Sequence, residues 1–241
     1  MRKFLIVFLG LVFILGLVLL VSPKFSNAKD KKPHIFITYT GKTPKSPKAG
    51  ACTVTTNDQV NLFGVAGWRL VSGITDYRLN YATKPKGWSD DTFRAAIDGA
   101  FSTVQDAGGG PLFNNAGESR EVKPSNNGQN TIMWQNLSAG IAAMTYIWTE
   151  NGRLANADTV FNKKYAWSYT SYDGQNDCSG LAKSFDLRDV ATHEFGHWVG
   201  LGDLYDTSAK DLTMYGFAVR GELKKDSLGL GDITGIRALW P

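Results

Sequence analysis

The chain reads as a single α+β domain behind an export leader, and three observations predict that class. A short alternating run, Tyr77-Arg78-Leu79-Asn80-Tyr81, is followed by apolar residues at Phe93, Ile97, Ala100, Phe101 and Val104. Alternation lines one face of a strand, and the 3.6-residue period lines one face of a helix. Three further strand candidates follow at residues 130–134, 142–148 and 157–161, and two helical segments close the chain. The order is strand, helix, several strands, helix, loop, helix, with no internal repeat and no second domain.

Each element carries its own signals. Ser89 precedes Asp90 and Asp91, an N-cap followed by acids that favour the positive end of a helix. Gly108-Gly109-Gly110 stops that helix, and residues 111–128 read as a polar, Asn-rich loop. Glu150-Asn151-Gly152 supplies a turn between the last two strands. Residues 165–184 read as an aromatic loop bearing Gly and Ser. Asp186 caps a helix expected over about 187–199 that ends at Gly200. The last helix is expected over 232–239, with Ile233, Ile236 and Leu239 turned inward. Trp148, Trp167 and Trp198 read as core and rim aromatics.

Charge is unevenly placed along the 241 residues. The formal net of +4 arises because residues 1–49 hold nine bases and one acid, while the remainder holds 17 bases and 21 acids. A domain that is itself acidic offers no basic surface for nucleic acid. Arg2 and Lys3 precede an uncharged apolar run of 18 residues, 4–21, and Ser26-Asn27-Ala28 offers small residues for a signal peptidase. Residues 1–28 are therefore expected to be a cleaved signal peptide, or else a retained N-terminal anchor. Either way the domain lies outside the cytoplasm, secreted in the first case and membrane-held in the second. Residues 29–60 are rich in Lys, Pro, Gly and Thr and read as a mobile tail or short propeptide. The compact domain then occupies 61–241, beginning between positions 60 and 68. Cys52 and Cys178, an even pair in an oxidising compartment, are expected to form one disulfide. The domain is expected to be monomeric.

The chemistry concentrates in His193-Glu194-Phe195-Gly196-His197-Trp198-Val199-Gly200-Leu201-Gly202-Asp203. Imidazoles four residues apart on a helix stack on one face and can direct one nitrogen each at a single zinc ion. Glu194 points about a quarter-turn away, where it can reach a water on that ion. A catalytic zinc needs a third protein ligand and an open position. Gly200 can take the left-handed conformation that turns the chain and brings Asp203 back toward the histidines. Asp206 and Asp211 are competitors. The chain has three histidines, and the spare one, His34, lies in the expected tail.

This eleven-residue stretch resembles the metzincin zinc signature, most closely that of the matrixins. Their usual third ligand is a histidine, and Asp203 departs from it. Thr213-Met214-Tyr215-Gly216 resembles the Met-turn, which places Met214 under the metal, and residues 228–240 resemble the last matrixin helix. The resemblance covers roughly residues 65–241. It implies a metzincin-like zincin fold, with a mixed twisted sheet, an antiparallel edge strand, an active-site helix and a C-terminal helix. It further implies a zinc endopeptidase acting on protein or peptide. Glu194 would be the general base, His193, His197 and Asp203 the ligands, and Ala142-Ala143-Met144-Thr145-Tyr146 an exposed edge strand that pairs with substrate. Tyr215 would form pocket wall beside Phe217. No Pro-Arg-Cys-Gly latency motif is present, and the histidines for a second, structural zinc are absent. Calcium would suit oxygen ligands in the Asp- and Asn-bearing loops, although no residue set fixes such a site. Two readings compete with the endopeptidase: a non-catalytic extracellular zinc-binding protein, which intact Glu194 argues against, and an amidase of cell-wall peptides.

Overall fold

The computed structural model describes residues 32–42, 56–70, 73–107, 112–170 and 183–240. The leader, both cysteines of the expected disulfide and Gly108-Gly109-Gly110 lie outside them. In chain order the strands and helices are β1 (His34–Thr40), β2 (Gly64–Val65), β3 (Ile74–Leu79), α1 (Asp90–Gln105), β4 (Leu112–Glu118), β5 (Thr131–Gln135), β6 (Ile141–Glu150) and β7 (Arg153–Asn162). There follow β8 (Trp167–Ser168), β9 (Phe185–Asp186), α2 (Leu187–Trp198), β10 (Leu201–Gly202), β11 (Phe217–Ala218) and α3 (Leu230–Leu239). The fold is α+β, as its pattern predicts.

The main sheet has seven strands in the order β11-β1-β6-β7-β5-β3-β4. β4, β3, β5 and β7 run parallel to one another, whereas β6 is antiparallel to β7. The helix α1 begins at Ser89, whose side chain accepts from Thr92 N–H, and buries Phe93, Ala96, Ile97, Ala100, Phe101 and Val104. Those are the periodic positions, so the apolar stripe does fix its packing face. Phe101 of α1 stacks on Phe195 of α2 with centroids 3.7 Å apart, and Trp198 meets the same ring edge-on. Burying such a ring stabilises by roughly 1.5–3 kcal/mol, so this contact locks α2 against α1. Of the 12 residues of α2, 11 are buried. That helix has no solvent face to spend on polar residues, so its polar side chains must find partners inside.

Three expectations need correction. Residues 34–40 are not a mobile tail: they form β1, antiparallel to β6 and parallel to β11. The reason is non-local, since the backbone of β1 completes ladders offered by two strands far away in sequence. Residues 112–118 are not loop but edge strand β4, parallel to β3, with Phe113 N–H donating to the side chain of Gln105. Finally, the stretch Ala142-Ala143-Met144-Thr145-Tyr146 is not exposed. It lies within β6, flanked by β7 on one side and β1 on the other, and Ala142, Ala143 and Thr145 are fully buried.

A candidate metal centre

Asp186 caps α2, accepting from the N–H groups of Arg188 and Asp189. The helix then carries His193, Glu194 and His197 inward, all with no solvent exposure. The two imidazoles meet nearly perpendicular with centroids 4.9 Å apart. At the end of the helix Gly200 has φ +102°, and an added Cβ would stand 2.1 Å from the carbonyl oxygen of Trp68. Only glycine fits that turn. The chain then passes through β10, which pairs with β2, and returns Asp203 to the imidazoles. Asp203 Oδ1 lies 3.3 Å from His193 Nε2 and 3.6 Å from His197 Nε2.

The other ring nitrogens define the tautomers. His193 Nδ1 lies 2.7 Å from the carbonyl oxygen of Thr213, and His197 Nδ1 lies 2.9 Å from that of Leu201. A carbonyl only accepts, so each Nδ1 carries the proton and each Nε2 presents a lone pair. His193 Nε2, His197 Nε2 and Asp203 Oδ1 are then buried without any hydrogen-bond partner. Three convergent acceptor atoms with nothing to accept from repel one another unless a cation lies between them. The donor set, two nitrogens and one carboxylate oxygen, suits zinc. Among the described residues this is the group of His and acidic side chains placed to share one ion.

The electrostatics agree with that demand. Burial lowers the pKa of His193 to about 4, with the Lys225 ammonium acting in the same direction, so its imidazole is neutral. Burial pushes His197 down too, but the Asp203 and Glu194 carboxylates and the Leu201 carbonyl together outweigh it and leave it raised. Burial pushes the Asp203 carboxyl up, yet the imidazoles, His197 foremost, hold it well below the usual carboxylate range. Burial raises Glu194, opposed by His197 and by two hydroxyls. Those hydroxyls are Thr145, donating to Oε2 at 2.5 Å, and Thr38, donating to Oε1 at 2.6 Å.

Met214 is buried against the helix: a Cβ on Gly196 would come 2.2 Å from its sulfur. Glycine one place before His197 is what lets the thioether seat beneath the histidines. The turn that carries Met214 is held by Asp232 of α3, whose carboxylate accepts from the N–H groups of Thr213 at 2.9 Å and Met214 at 3.1 Å. Tyr215 is half-buried next to Phe217, their rings 5.4 Å apart, and its carbonyl accepts from the buried Lys225 ammonium. The competing acids are engaged elsewhere. Asp206 caps a short 3-10 turn by accepting from Ser208 N–H, and Asp211 pairs with Lys210 and Lys224.

Sequence reasoning missed four contributors: Thr38, the hydroxyl role of Thr145, Asp232, and Tyr205, whose hydroxyl lies 3.2 Å from Asp203 Oδ2. Asp232 alone had a local signal, an acid in the first turn of a helix just after Gly229. Thr38 and Thr145 act across long sequence separations that no periodicity reports, and Tyr205, two residues beyond Asp203, carries no motif that marks it.

A mixed sheet laid over a buried helix that bears two imidazoles, closed by a glycine turn and a methionine-bearing turn, is the arrangement of the metzincin class. Within it, the matrixin family profile matches residues 75–241, and the chain belongs to the matrixin family. The chain is 29% identical over 171 residues to Metalloendoproteinase 1 of Glycine max, covering 68% of this chain and 50% of that protein. It is 35% identical over 101 residues to Metalloendoproteinase 4-MMP of Arabidopsis thaliana, covering 42% of this chain and 25% of that protein. The chain thus spans half or less of the length of these relatives.

Proposed function

We propose that the protein is an exported, zinc-dependent endopeptidase with His193, His197 and Asp203 as metal ligands and Glu194 as general base. The observation that carries this is the convergence of three unpartnered buried atoms beside a buried carboxylate. Family membership and the names of its relatives support the same activity. Bound zinc would supply Lewis acidity, lowering the pKa of a coordinated water toward about 7 and polarising the scissile carbonyl.

The chain's own residues do the rest. Glu194 accepts the proton of the attacking water and delivers it to the leaving amine. Thr145 fixes the Glu194 carboxylate, and the Nδ1–H bonds of His193 and His197 fix both ring orientations. β6 can hold an extended peptide by ladder pairing only once β1, which occupies that edge, is displaced. Side-chain choice falls to Tyr215 and Phe217, whose rings lie 5.4 Å apart. The leader composition supports export.

Metal analysis of purified protein checks the proposal: one zinc per chain is expected, lost in His197→Ala. Chelator-sensitive cleavage of casein, however slow, is expected alongside it. A metal-free chain, or cleavage indifferent to chelator, would remove the proposal.

A further inference from the structure

Without β1, β6 would be the outer strand of the sheet on the side of the metal site. β1 fills the channel between β6 and β11 with the backbone pattern of a bound peptide. Its N–H groups alternate: Tyr39 and Gly41 donate to the carbonyls of Gly216 and Ala218 at 3.1 and 2.7 Å, and Thr40 donates to Gly140 at 2.9 Å. Both flanking segments are thereby paired with one strand.

The inward face of β1 lies on the chemistry. Phe36 is opposite Thr145 and Thr38 opposite Ala143, so all four share the face turned to α2. The ring of Phe36 stacks on that of His197 with centroids 4.0 Å apart. The Thr38 hydroxyl bonds Glu194 Oε1 and the Thr145 hydroxyl bonds Oε2, so each carboxylate oxygen already accepts from a threonine. A hydrolytic base must meet solvent and substrate, yet Glu194 has no exposure with β1 in place.

The seating of β1 is also shallow. Of its seven residues only Thr38 is buried, and Ile35 is 49% and Tyr39 40% exposed, whereas β5 buries four of five. A strand held by ladder bonds and little apolar burial belongs to the low-stability end of a fold and can open without global unfolding.

We infer that residues 34–40 are an internal occupant of the peptide groove, holding the enzyme inactive in cis until that segment leaves. Inhibition needs no thiol, because the backbone ladder, the Phe36 ring and the Thr38 hydroxyl make the contacts. This rests on the hydrolase proposal above, and its test separates the two.

The test uses the full chain with a site-specific protease sequence inserted between Lys45 and Ser46. Hydrolysis of a quenched fluorescent peptide is compared before cutting and after cutting and gel filtration, with mass spectrometry confirming loss of the segment. Turnover is expected to rise by roughly tenfold or more, since cutting removes the high effective concentration of a tethered ligand. A synthetic peptide of residues 32–42 should restore inhibition, and its Phe36→Ala, Thr38→Ala version should be roughly tenfold weaker. In the uncut chain Tyr39→Pro, which deletes the N–H bonded to Gly216 at an exposed position, should raise turnover several-fold.

Fluorescence anisotropy of labelled 32–42 peptide with the cut, zinc-loaded chain reads occupancy without turnover. No binding, or a turnover unchanged once the segment has left, overturns the inference. Binding with no turnover in either form upholds occupancy of the groove and refutes the hydrolase instead.

Discussion

The hydroxyl of Thr145 donates to Glu194 at 2.5 Å, and its oxygen lies 2.8 Å from the hydroxyl of Thr159. Thr159 in turn accepts from the indole N–H of Trp198 at 3.0 Å. Because an indole only donates and the carboxylate only accepts, the two hydroxyls between them point one way, from Trp198 toward Glu194. Three elements, β6, β7 and α2, thus converge on the orientation of one carboxylate.

Thr145→Val should therefore lower kcat with KM little changed, because it frees Glu194 without altering the peptide ladder. A hydrogen bond to a charged group is worth about 1.5–3 kcal/mol, a loss of roughly ten- to a hundredfold. Thr145→Ser should recover most of it. Steady-state kinetics on the cut chain check this, and an unchanged kcat in the valine variant would contradict it.

Gly196 and Met214 form a lock-and-seat pair, the sulfur standing 2.2 Å from where a Cβ would be. Gly196→Ala should cost about 1–3 kcal/mol through overpacking and weaken metal binding by displacing the helix that carries both imidazoles. Thermal unfolding with a zinc titration reads both effects. A fully stable variant would show that the thioether has room to move.

Asp232 holds Thr213, Met214 and Gly229 by backbone N–H bonds, and Thr213 is the residue whose carbonyl orients His193. Asp232→Ala should destabilise by about 2–4 kcal/mol, since buried donors lose their acceptor, and should also weaken zinc affinity. Calorimetry with and without zinc distinguishes a loss confined to the fold from one transmitted to His193.

The pH dependence of stability follows from buried acids remote from the ligands. Burial lifts Asp226 to about 8, with Asp186 adding to the shift and Arg188 opposing it, and both its oxygens lack hydrogen-bond partners. Burial lifts Asp158 to about 7 despite N–H bonds from Ser125 and Thr131. A carboxyl with a folded pKa above the unfolded value, about 3.9, binds its proton more tightly when folded. The penalty is thus absent below about pH 4, accumulates as pH rises, and is complete above the folded value. Asp226→Asn should raise Tm at pH 8 by about 2–4 °C for each kcal/mol recovered, with the advantage fading toward pH 4. Scanning calorimetry over that range checks it, and a lower Tm at pH 8 would contradict it.

Local features were legible in the sequence, and long-range pairings were not. The helix α2 shows itself through its Asp186 cap, the spacing of His193 and His197, and the stop at Gly200, because each signal lies within a few residues of what it controls. β4 is hidden since Asn114, Asn115 and Gly117 are poor strand formers; its ladder with β3 and the Gln105 contact make it a strand. β1 is hidden for a stronger reason. Its few apolar residues sit among Lys and Pro, and its partners lie about one hundred or more residues onward. The same pairing covers β6, which resemblance alone would leave open.

The central claim is that His193, His197 and Asp203 hold one metal ion. Crystals of the zinc-loaded protein, measured at the zinc absorption edge, test it most directly. A single anomalous peak is expected within about 2.0–2.2 Å of His193 Nε2, His197 Nε2 and Asp203 Oδ1. A peak bound to other side chains, or none at this position in protein that carries stoichiometric zinc, would contradict it.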